Sequence, residues 1–275
     1  MRLLVKLSGK VLEEAASRRT LAQELAALHG SGHRLTVVHG GGPQLTDFCR
    51  RLGIPVRQVQ GRRVTDAATL DAAVKVFSQL NAELTAALAA AGVPAVGLAA
   101  FSGGLTHAER RAPLRIEENG RVATVDFGFV GDLRGVRPHL ALLLWTQGFV
   151  PVISSLCADE AGNLLNINAD TLAVELAVAL QADRLIAVSD VDGVYLDLAD
   201  PASRLSSLSA SEARRLLAEG ILKDGMIPKI QNALRALEAG LPAFQIVQGD
   251  RPDHLRRCLD APLGTVLTAD PAALR

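Results

Sequence analysis

The sequence predicts an α/β fold in which a mainly parallel central sheet carries helices on both faces. Short apolar runs typical of buried strands alternate along the chain with longer segments of helical periodicity. Three consecutive glycines, Gly40 to Gly42, also separate one such apolar run from a segment that is predicted to be helical and that begins with a proline. Strands that alternate with helices in this way are joined by crossovers, so they are expected to run parallel.

The composition limits the classes of protein to which the chain can belong. Its 275 residues can form one large α/β unit or two closely joined lobes. The 29 basic and 29 acidic residues balance, and only 3% of residues are aromatic, which argues against nucleic acid as a partner. Cys49, Cys157 and Cys258 lack metal-ligand spacing, and no run reaches the roughly 18 apolar residues of a membrane span. We therefore expect a cytoplasmic protein with reduced thiols, no metal site and no membrane contact.

The first strand is predicted over residues 2–7, before a helical segment whose Leu21, Leu25 and Leu28 share one face. This strand places Lys6 near its carboxyl end. Ligands bind outside the carboxyl ends of strands in open α/β sheets, so Lys6 is a candidate anion-binding residue. The alternative is a lysine whose stem lies along the strand edge and whose charge is only solvated.

The glycine run follows a second strand, predicted from Leu35 to Val38, and Pro43 fits the first position of the next helix. Glycines without side chains let backbone N–H groups approach an anion at a helix N-terminus, which suits a phosphate. A tight strand-to-helix turn is the alternative. The run matches neither a P-loop nor a dinucleotide-binding fingerprint, and His39 beside it is interpreted as structural.

The next segments carry arginines, a long helix and an insertion. Arg62 and Arg63 precede Thr65, which is expected to cap a helix over residues 65–91 that is apolar enough for both core and subunit contacts. Arginine suits bidentate binding of a carboxylate. After a strand at residues 95–99, the runs at 114–116 and 122–125 flank Asn119-Gly120, which predicts a hairpin that projects as a flap.

The second half repeats the strand and helix rhythm. A helix at residues 138–147 leads to a strand at 150–154, and Asn168 or Asp170 is expected to cap a helix containing Leu172, Leu176 and Leu180. Further strands are predicted at residues 184–189, 243–247 and 265–267, and Ser209 with Glu212 forms a capping box. A helix predicted to begin at Pro228 holds Lys229 in its first turn, where a cation opposes the helix dipole unless an anion lies nearby.

Seven segments in order carry a resemblance to a known family: VKLSGK, HGGGPQ, GRRVT, DFGFVG, LNINAD, SDVDGVY and DGMIPK. The chain resembles the amino acid kinase family over nearly its whole length, and most closely those members that phosphorylate N-acetylglutamate. The resemblance implies an open three-layer αβα sandwich of the carbamate kinase-like type. Residues 1–180 would form an N-terminal lobe for acyl amino acid binding and dimerisation, and residues 181–275 a C-terminal lobe for ATP.

The resemblance also implies roles for individual residues. The catalytic residues would be Lys6 and Lys229, which stabilise the transferring phosphoryl group, and Asp170, which organises them. The acyl substrate would be held by Gly41, Gly42, Arg63 at its α-carboxylate and Asn166 at its α-amide region. The nucleotide would be held by Lys6, Lys229 and the loop residues Asp190, Val191, Asp192, Gly193, Val194 and Tyr195.

The implied reaction is ATP-dependent phosphorylation of the side-chain carboxylate of N-acetyl-L-glutamate in arginine biosynthesis, with Mg²⁺ on the ATP and no tightly bound cofactor. A carboxylate is already ionised at pH 7, so no general base is needed, which agrees with the lack of a catalytic-histidine pattern. Phosphoryl transfer depends mostly on positioning and charge stabilisation.

Alternatives remain open. A kinase of lysine biosynthesis that acts on carrier-protein-linked aminoadipate or glutamate could use Arg110 and Arg111, and a non-catalytic amino acid or nucleotide sensor could share the fold. Ser8 departs from the glycine of many family members. The first strand begins near Arg2, without the N-terminal helix that interlinks arginine-inhibited members into hexamers, so we expect a homodimer that arginine does not inhibit.

Overall fold

The computed structural model describes residues 1–118, 121–197, 199–222 and 225–270 and confirms the α/β fold. The helices are α1 (Ala15–Gly30), α2 (Gly42–Arg51), α3 (Ala67–Ala90), α4 (His139–Thr146), α5 (Ala169–Ala179), α6 (Ala210–Ala218), α7 (Met226–Glu238) and α8 (His254–Arg257). The strands are β1 (Arg2–Leu7), β2 (Arg34–His39), β3 (Gln58–Val59), β4 (Arg62–Arg63), β5 (Ala95–Ala99), β6 (Thr106–Arg110), β7 (Leu114–Glu118), β8 (Arg121–Val125), β9 (Gly131–Val136), β10 (Val150–Ser154), β11 (Leu156–Ala158), β12 (Leu164–Asn166), β13 (Arg184–Ser189), β14 (Val194–Tyr195), β15 (Arg204–Leu205), β16 (Ser207–Ser209), β17 (Ala243–Gln248) and β18 (Thr265–Thr268).

An eight-stranded sheet organises the molecule, with the order β16-β18-β17-β13-β1-β2-β10-β5. All of its pairings are parallel except that between β17 and β18. The predicted lobe boundary near residue 180 falls between β13 and β1, so each half of the chain contributes four neighbouring strands. The sheet is continuous across this boundary because β1 pairs with β13 from Leu3 opposite Arg184 to Leu7 opposite Val188.

Helices cover both faces of the sheet, as the resemblance implies. Successive side chains of a strand point to opposite faces. In β1, Leu4 joins the apolar cluster that contains side chains of α4, α5, α6 and α7, whereas Leu3 and Val5 join the cluster with α1, α3 and α8. All three leucine and valine side chains are fully buried, and each contributes on the order of 1.5–3 kcal/mol.

Most predicted element boundaries are confirmed. Gly92, with φ of 82°, follows the C-cap of α3, and Ser209 and Glu212 form the complete capping box of α6. Asn168 is the N-cap of α5, and its side chain accepts the N–H of Thr171 at 2.9 Å.

Three starting positions were wrong by one or two residues. Asp66, not Thr65, caps α3, because the backbone of Thr65 is already paired with residues 127 and 129. The α7 helix begins at Met226, so Pro228 is its third residue, and Pro43 is the second residue of α2. Proline fits within the first helical turn because the N–H groups there have no intrahelical partner.

The predicted flap is confirmed in its strands. β7 and β8 pair antiparallel from Leu114 opposite Val125 onward, and β6 pairs antiparallel with β9 beside them. The predicted turn at Asn119-Gly120 lies outside the described residues. In the part of the chain that the structure describes, no helix combines the length and hydropathy needed to cross a membrane.

Candidate active site

The candidate active site lies at the carboxyl ends of β1, β2 and β13. The chain leaves β1 toward β2 on one side, while β13 pairs on the other side of β1. In open α/β sheets, the crevice where successive connections leave in opposite directions is the usual ligand site. Lys6 near the end of β1, the glycine run after β2 and Asp190 after β13 therefore share one rim.

Lys6 pairs with Asp170 across this crevice. Its Nζ lies 2.7 Å from Asp170 Oδ1, and the lysine side chain is only 13% exposed. Asp170 lies in the first turn of α5, where the helix dipole favours a negative charge. The strand and the helix therefore hold a lysine ammonium in a nearly enclosed position, and the solvated-lysine interpretation of Lys6 does not hold.

Lys229, from the first turn of α7, reaches the same region from the other half of the sheet. Its Nζ lies 4.0 Å from Asp190 Oδ1. Burial lowers the pKa of Lys229 below its ordinary value. The ammonium groups of Lys6 and Lys10 act in the same direction, and the carboxylates of Asp190 and Asp170 oppose it. Lys6 and Lys229 are thus close enough for their charges to repel each other.

Asp190 forms direct contacts with two neighbours. Lys10 Nζ donates to its Oδ2 at 2.5 Å, and Ser189 Oγ donates to its Oδ1 at 2.9 Å. Partial burial opposes ionisation of Asp190, but these hydrogen bonds outweigh it and lower the pKa of Asp190 to about 2. The carboxylate is therefore ionised at any physiological pH.

The glycine turn needs its glycines for space. Gly41 has an extended backbone that any residue could adopt, but a Cβ there would lie 2.7 Å from Leu80 and 2.9 Å from Phe77 of α3. A Cβ at Gly42 would meet nothing within 4 Å. Gly42, which is the first residue of α2, therefore has open space in front of it.

A buried polar network supports this turn from below. His39 is fully buried, its Nδ1 lies 2.8 Å from Gly40 O, and its Nε2 lies 3.0 Å from Asn81 Nδ2. Asn81 also donates to Val152 O at 2.9 Å. The carbonyl of Gly40 requires a donor, so we assign the proton to Nδ1 and the acceptor role to Nε2. Burial lowers the pKa of His39 to about 4, and His39 is structural, as expected.

Arg63 borders the same turn. Its Nη2 donates to Gly42 O at 3.1 Å and to Thr46 Oγ1 at 2.5 Å. Its Nη1 is buried and has no hydrogen-bond partner among the described residues. Burial lowers the pKa of Arg63 from its ordinary value, and an arginine remains charged nonetheless. A buried donor without a partner, beside the glycines, is suited to an oxygen of an anionic ligand.

Asn166 lies beside the segment that follows the flap. Its Nδ2 donates to Thr65 Oγ1 at 3.2 Å, and its backbone N–H donates to Phe129 O at 2.9 Å. Thr65 pairs in turn with Gly128, where a Cβ would lie 2.2 Å from Thr65 O. The DFGFVG segment thus links the start of α3 to Asn166.

The loop expected to hold the nucleotide follows β13. Gly193, with φ of 116°, lies against Thr265, whose Oγ1 accepts the N–H of Val194 at 2.8 Å. Val194 is fully buried, and because its N–H is bonded to Thr265 it holds the loop in place. Asp192 lies 3.4 Å from His254 Nδ1 and 3.8 Å from Arg204 Nε. Val191 and Tyr195 are partly exposed in the same loop.

The structure adds residues that sequence reasoning missed. Lys10 has no assigned role in the sequence analysis, yet it contacts Asp190, which lies 180 positions away. Gly9 also contributes, since a Cβ there would lie 2.5 Å from Pro43 Cδ, and Gln44 Nε2 donates to its carbonyl at 2.7 Å. Neither contact has a local sequence signal, because both depend on which strands become neighbours.

The arrangement as a whole is suited to a polyanion. Three lysines, two carboxylates, a glycine turn and the N-termini of α2 and α5 converge at one rim. Among the described residues there is no cluster of three histidine, cysteine or carboxylate side chains that could hold a metal ion.

Comparison with known proteins gives a consistent result. A model of the amino acid kinase family matches residues 1–246. An acetylglutamate kinase of Sorangium cellulosum is 46% identical to this chain over 268 residues, which cover 96% of this chain and 94% of that protein.

Solved structures share the fold. An N-acetylglutamate synthase from Neisseria gonorrhoeae, complexed with coenzyme A and N-acetyl-glutamate, has a TM-score of 0.81 at 24% identity, covering 98% of this chain. This chain spans 59% of that synthase. Carbamate kinase from Giardia lamblia bound to AMP-PNP has a TM-score of 0.71 at 14% identity, covering 98% of each chain. The carbamate kinase-like fold is thereby confirmed, and the chain belongs to the amino acid kinase family.

Proposed function

We propose that this protein is an acetylglutamate kinase, which transfers the γ-phosphoryl group of ATP to the side-chain carboxylate of N-acetyl-L-glutamate and so forms N-acetyl-L-glutamyl 5-phosphate for arginine biosynthesis. The observation that carries this proposal is the convergence of Lys6 and Lys229 from the two halves of the sheet. The near-full-length identity to an acetylglutamate kinase supports the choice of substrate.

The chemistry requires charge stabilisation more than proton transfer. The acceptor carboxylate is ionised at pH 7 and attacks the γ-phosphorus directly, while the bond to the ADP oxygen breaks. Lys6 and Lys229 offset the negative charge on the phosphoryl oxygens in transit, and Asp170 holds Lys6 in position. Mg²⁺ enters with ATP as part of the nucleotide substrate.

We assign the acyl amino acid to the side of the glycine turn. Gly42 has open space in front of it, and the unpartnered Nη1 of Arg63 supports an interaction with the α-carboxylate. Gly41 keeps the turn close to α3, and Asn166 borders the same region from β12. This half of the molecule, residues 1–180, is proposed as the acyl amino acid lobe.

We assign ATP to the half formed by residues 181–275. Lys229 and the loop residues Asp190, Val191, Asp192, Gly193, Val194 and Tyr195 lie at the carboxyl end of β13. Gly193 and the backbone of Val194 shape the loop, and Lys6 reaches the phosphates from β1. The buried free thiols of Cys49, Cys157 and Cys258 suit a reducing cytoplasm.

The carrier-linked alternative has little support from the charges that would serve it. Arg110 Nη2 lies 2.9 Å from Asp126, and Arg111 Nη2 lies 2.6 Å from Asp132. Both arginines therefore already have carboxylate partners, which lowers the net positive charge that this region offers to an acidic carrier protein.

An ADP-release assay with three acceptors tests the proposal. We expect turnover with free N-acetylglutamate, weaker turnover with N-acetylaspartate and none with a carrier-linked aminoadipate. ATP-dependent activity on the carrier-linked substrate alone would contradict the choice of substrate. ATP binding without turnover of any acceptor would favour a sensor.

A further inference from the structure

Lys10 lies on a fixed piece of backbone at the mouth of the site. It begins a short 3₁₀ turn, Lys10–Leu12, that follows β1 directly. Gly9 before it packs against Pro43, and Gln44 binds its carbonyl. The N–H of Ser8 donates to Val188 O at 3.0 Å, which joins the same segment to β13. The position of Lys10 between the glycine turn and Asp190 is therefore set by the fold.

The side chain of Lys10 combines a close ionic contact with high exposure. Its Nζ lies 2.5 Å from Asp190 Oδ2, yet 64% of the side chain is exposed. Lys229, on the other oxygen of the same carboxylate, is 25% exposed. Lys10 is thus the outer and Lys229 the inner lysine of a pair that shares Asp190.

The charges of this group do not balance. Among the described residues, Lys6, Lys10 and Lys229 form ion pairs with two carboxylates, Asp170 and Asp190. Within these five side chains one positive charge is in excess, and without Lys10 the remaining four would be neutral. Glu13 also acts on Lys10 electrostatically, but no ion pair joins the two side chains in the part of the chain that the structure describes. The excess charge lies at the exposed rim, where an entering polyphosphate would meet it first.

We propose that Lys10 is a further nucleotide-binding residue, which contacts the polyphosphate of the nucleotide when the nucleotide is bound. This inference rests on the proposed function, because it assumes that the phosphates lie between Lys6 and Lys229. Lys10 releases part of its contact with Asp190 in favour of phosphate oxygens, and Asp190 remains as the partner of Lys229. A surface ion pair with no ligand role is the competing explanation, and such pairs contribute little.

The chain offers a matched control for that explanation. Lys75 Nζ lies 2.6 Å from Asp71, and its side chain is 60% exposed, so it matches Lys10 in ion-pair distance and exposure, although its partner lies one turn away on α3. The variants are Lys10→Met, which keeps the stem and removes the charge, Lys10→Arg, which keeps a charge, and Lys75→Met.

The experiment measures affinity for ATP, inorganic tripolyphosphate and adenosine by calorimetry, alongside the KM values of both substrates. We expect Lys10→Met to weaken ATP and tripolyphosphate binding by roughly tenfold or more, the effect of losing one charge-assisted hydrogen bond. Adenosine affinity and the KM for N-acetylglutamate should remain unchanged. Lys10→Arg should retain most of the affinity, and Lys75→Met should match the unchanged protein.

The possible contradictions are distinct. Equal tripolyphosphate affinity in the unchanged protein and Lys10→Met would overturn the inference while the proposed function stands. A fall in kcat with unchanged ATP affinity would also overturn it, because Lys10 would then act only through Asp190. Failure of the unchanged protein to bind ATP would overturn the proposed function and this inference with it. Calorimetry needs no turnover, so an error in the choice of acceptor leaves the result readable.

Discussion

Lys6 and Lys229 carry the same charge in the same crevice, but their surroundings differ. Lys6 has a direct ion pair with Asp170 at 2.7 Å, whereas Lys229 Nζ lies 4.0 Å from Asp190. Burial therefore disfavours the charged form of Lys229, and an anionic ligand beside it would offset that effect. A lysine kept under such conditions is typical of a functional site.

Replacing either lysine with methionine should reduce turnover strongly. We expect Lys6→Met and Lys229→Met each to lower kcat by roughly 10²- to 10³-fold. This is the effect of removing one hydrogen-bond donor that stabilises negative charge in a transition state. The KM for N-acetylglutamate should change little. Steady-state kinetics at saturating ATP would measure this, and near-normal kcat in either variant would remove that lysine from the mechanism.

Arg63 and Arg62 provide a neighbouring pair for testing the carboxylate clamp. Arg63 is partly buried beside the glycine turn, whereas Arg62 on the same short strand is exposed. We expect Arg63→Ala to raise the KM for N-acetylglutamate by roughly 10- to 100-fold, since a charged hydrogen bond contributes about 1.5–3 kcal/mol. Arg62→Ala should leave the KM unchanged. A change confined to the KM for ATP would show that Arg63 contacts ATP and not N-acetylglutamate.

At the scale of elements, two glycines of the turn between β2 and α2 are needed for different reasons. Gly41 is needed for packing against α3, and Gly42 is expected to leave room for the substrate. Gly41→Ala should destabilise the fold by about 1–3 kcal/mol, because its Cβ would collide with Phe77 and Leu80. Gly42→Ala should fold normally, since nothing lies within 4 Å, yet lose on the order of 10²-fold in kcat/KM by displacing the substrate. Urea unfolding and initial rates on both variants measure the two effects. Full activity in Gly42→Ala would mean that the substrate does not approach that residue.

The network beneath this turn should make the fold sensitive to acid. Burial lowers the pKa of His39 from 6.5 to about 4, so protonation favours the unfolded chain. The resulting loss of stability begins as the pH falls through about 6.5 and is complete near pH 4. By pH 5 the unchanged protein should lose about 2 kcal/mol more than His39→Gln, which does not titrate. Urea midpoints at pH 7 and pH 5 provide the measurement, and equal losses would show that the pKa of His39 is the same in the folded and the unfolded chain.

The main helices and strands could be predicted because their signals are local. The apolar run of β1 and the face formed by Leu21, Leu25 and Leu28 in α1 are visible in a short window. Two-residue strands such as β3 and β14 have no periodicity to detect and were missed. The contact between Lys10 and Asp190 depends on the pairing of β1 with β13. Within the site, the types of residue were therefore predictable, whereas their pairings required the fold.

At the scale of the whole molecule, the sheet joins the two proposed lobes through β1 and β13. Lys6 lies in β1, and Asp190 directly follows β13. Any movement of one lobe relative to the other would therefore change the distances from Lys6 and Lys10 to Lys229. At one edge of the same sheet, β5 runs beside α3, where a groove of about 540 Å³ is lined by small side chains.

That edge is where we expect the two-fold contact, although not for the reason that the sequence suggested. The apolar excess of α3 is used inside the subunit, because Phe77, Leu80, Leu84 and Leu88 are buried in its own cores. What faces outward beside β5 is a stripe of exposed alanines, Ala82, Ala86 and Ala89.

Small side chains allow two helices to approach closely, so a second copy could pack α3 against α3 across a self-complementary surface. Light scattering should report twice the chain mass of 29.0 kDa. Ala86→Arg should shift the mass to that of one chain, whereas Ala90→Arg, exposed at the end of the same helix and outside the groove, should leave it unchanged. A monomeric unchanged protein, or a dimer that tolerates Ala86→Arg, would require another surface or another state. Activity measured on the Ala86→Arg monomer would then show whether Lys6, Lys10 and Lys229, which all belong to one chain, support turnover without the second subunit.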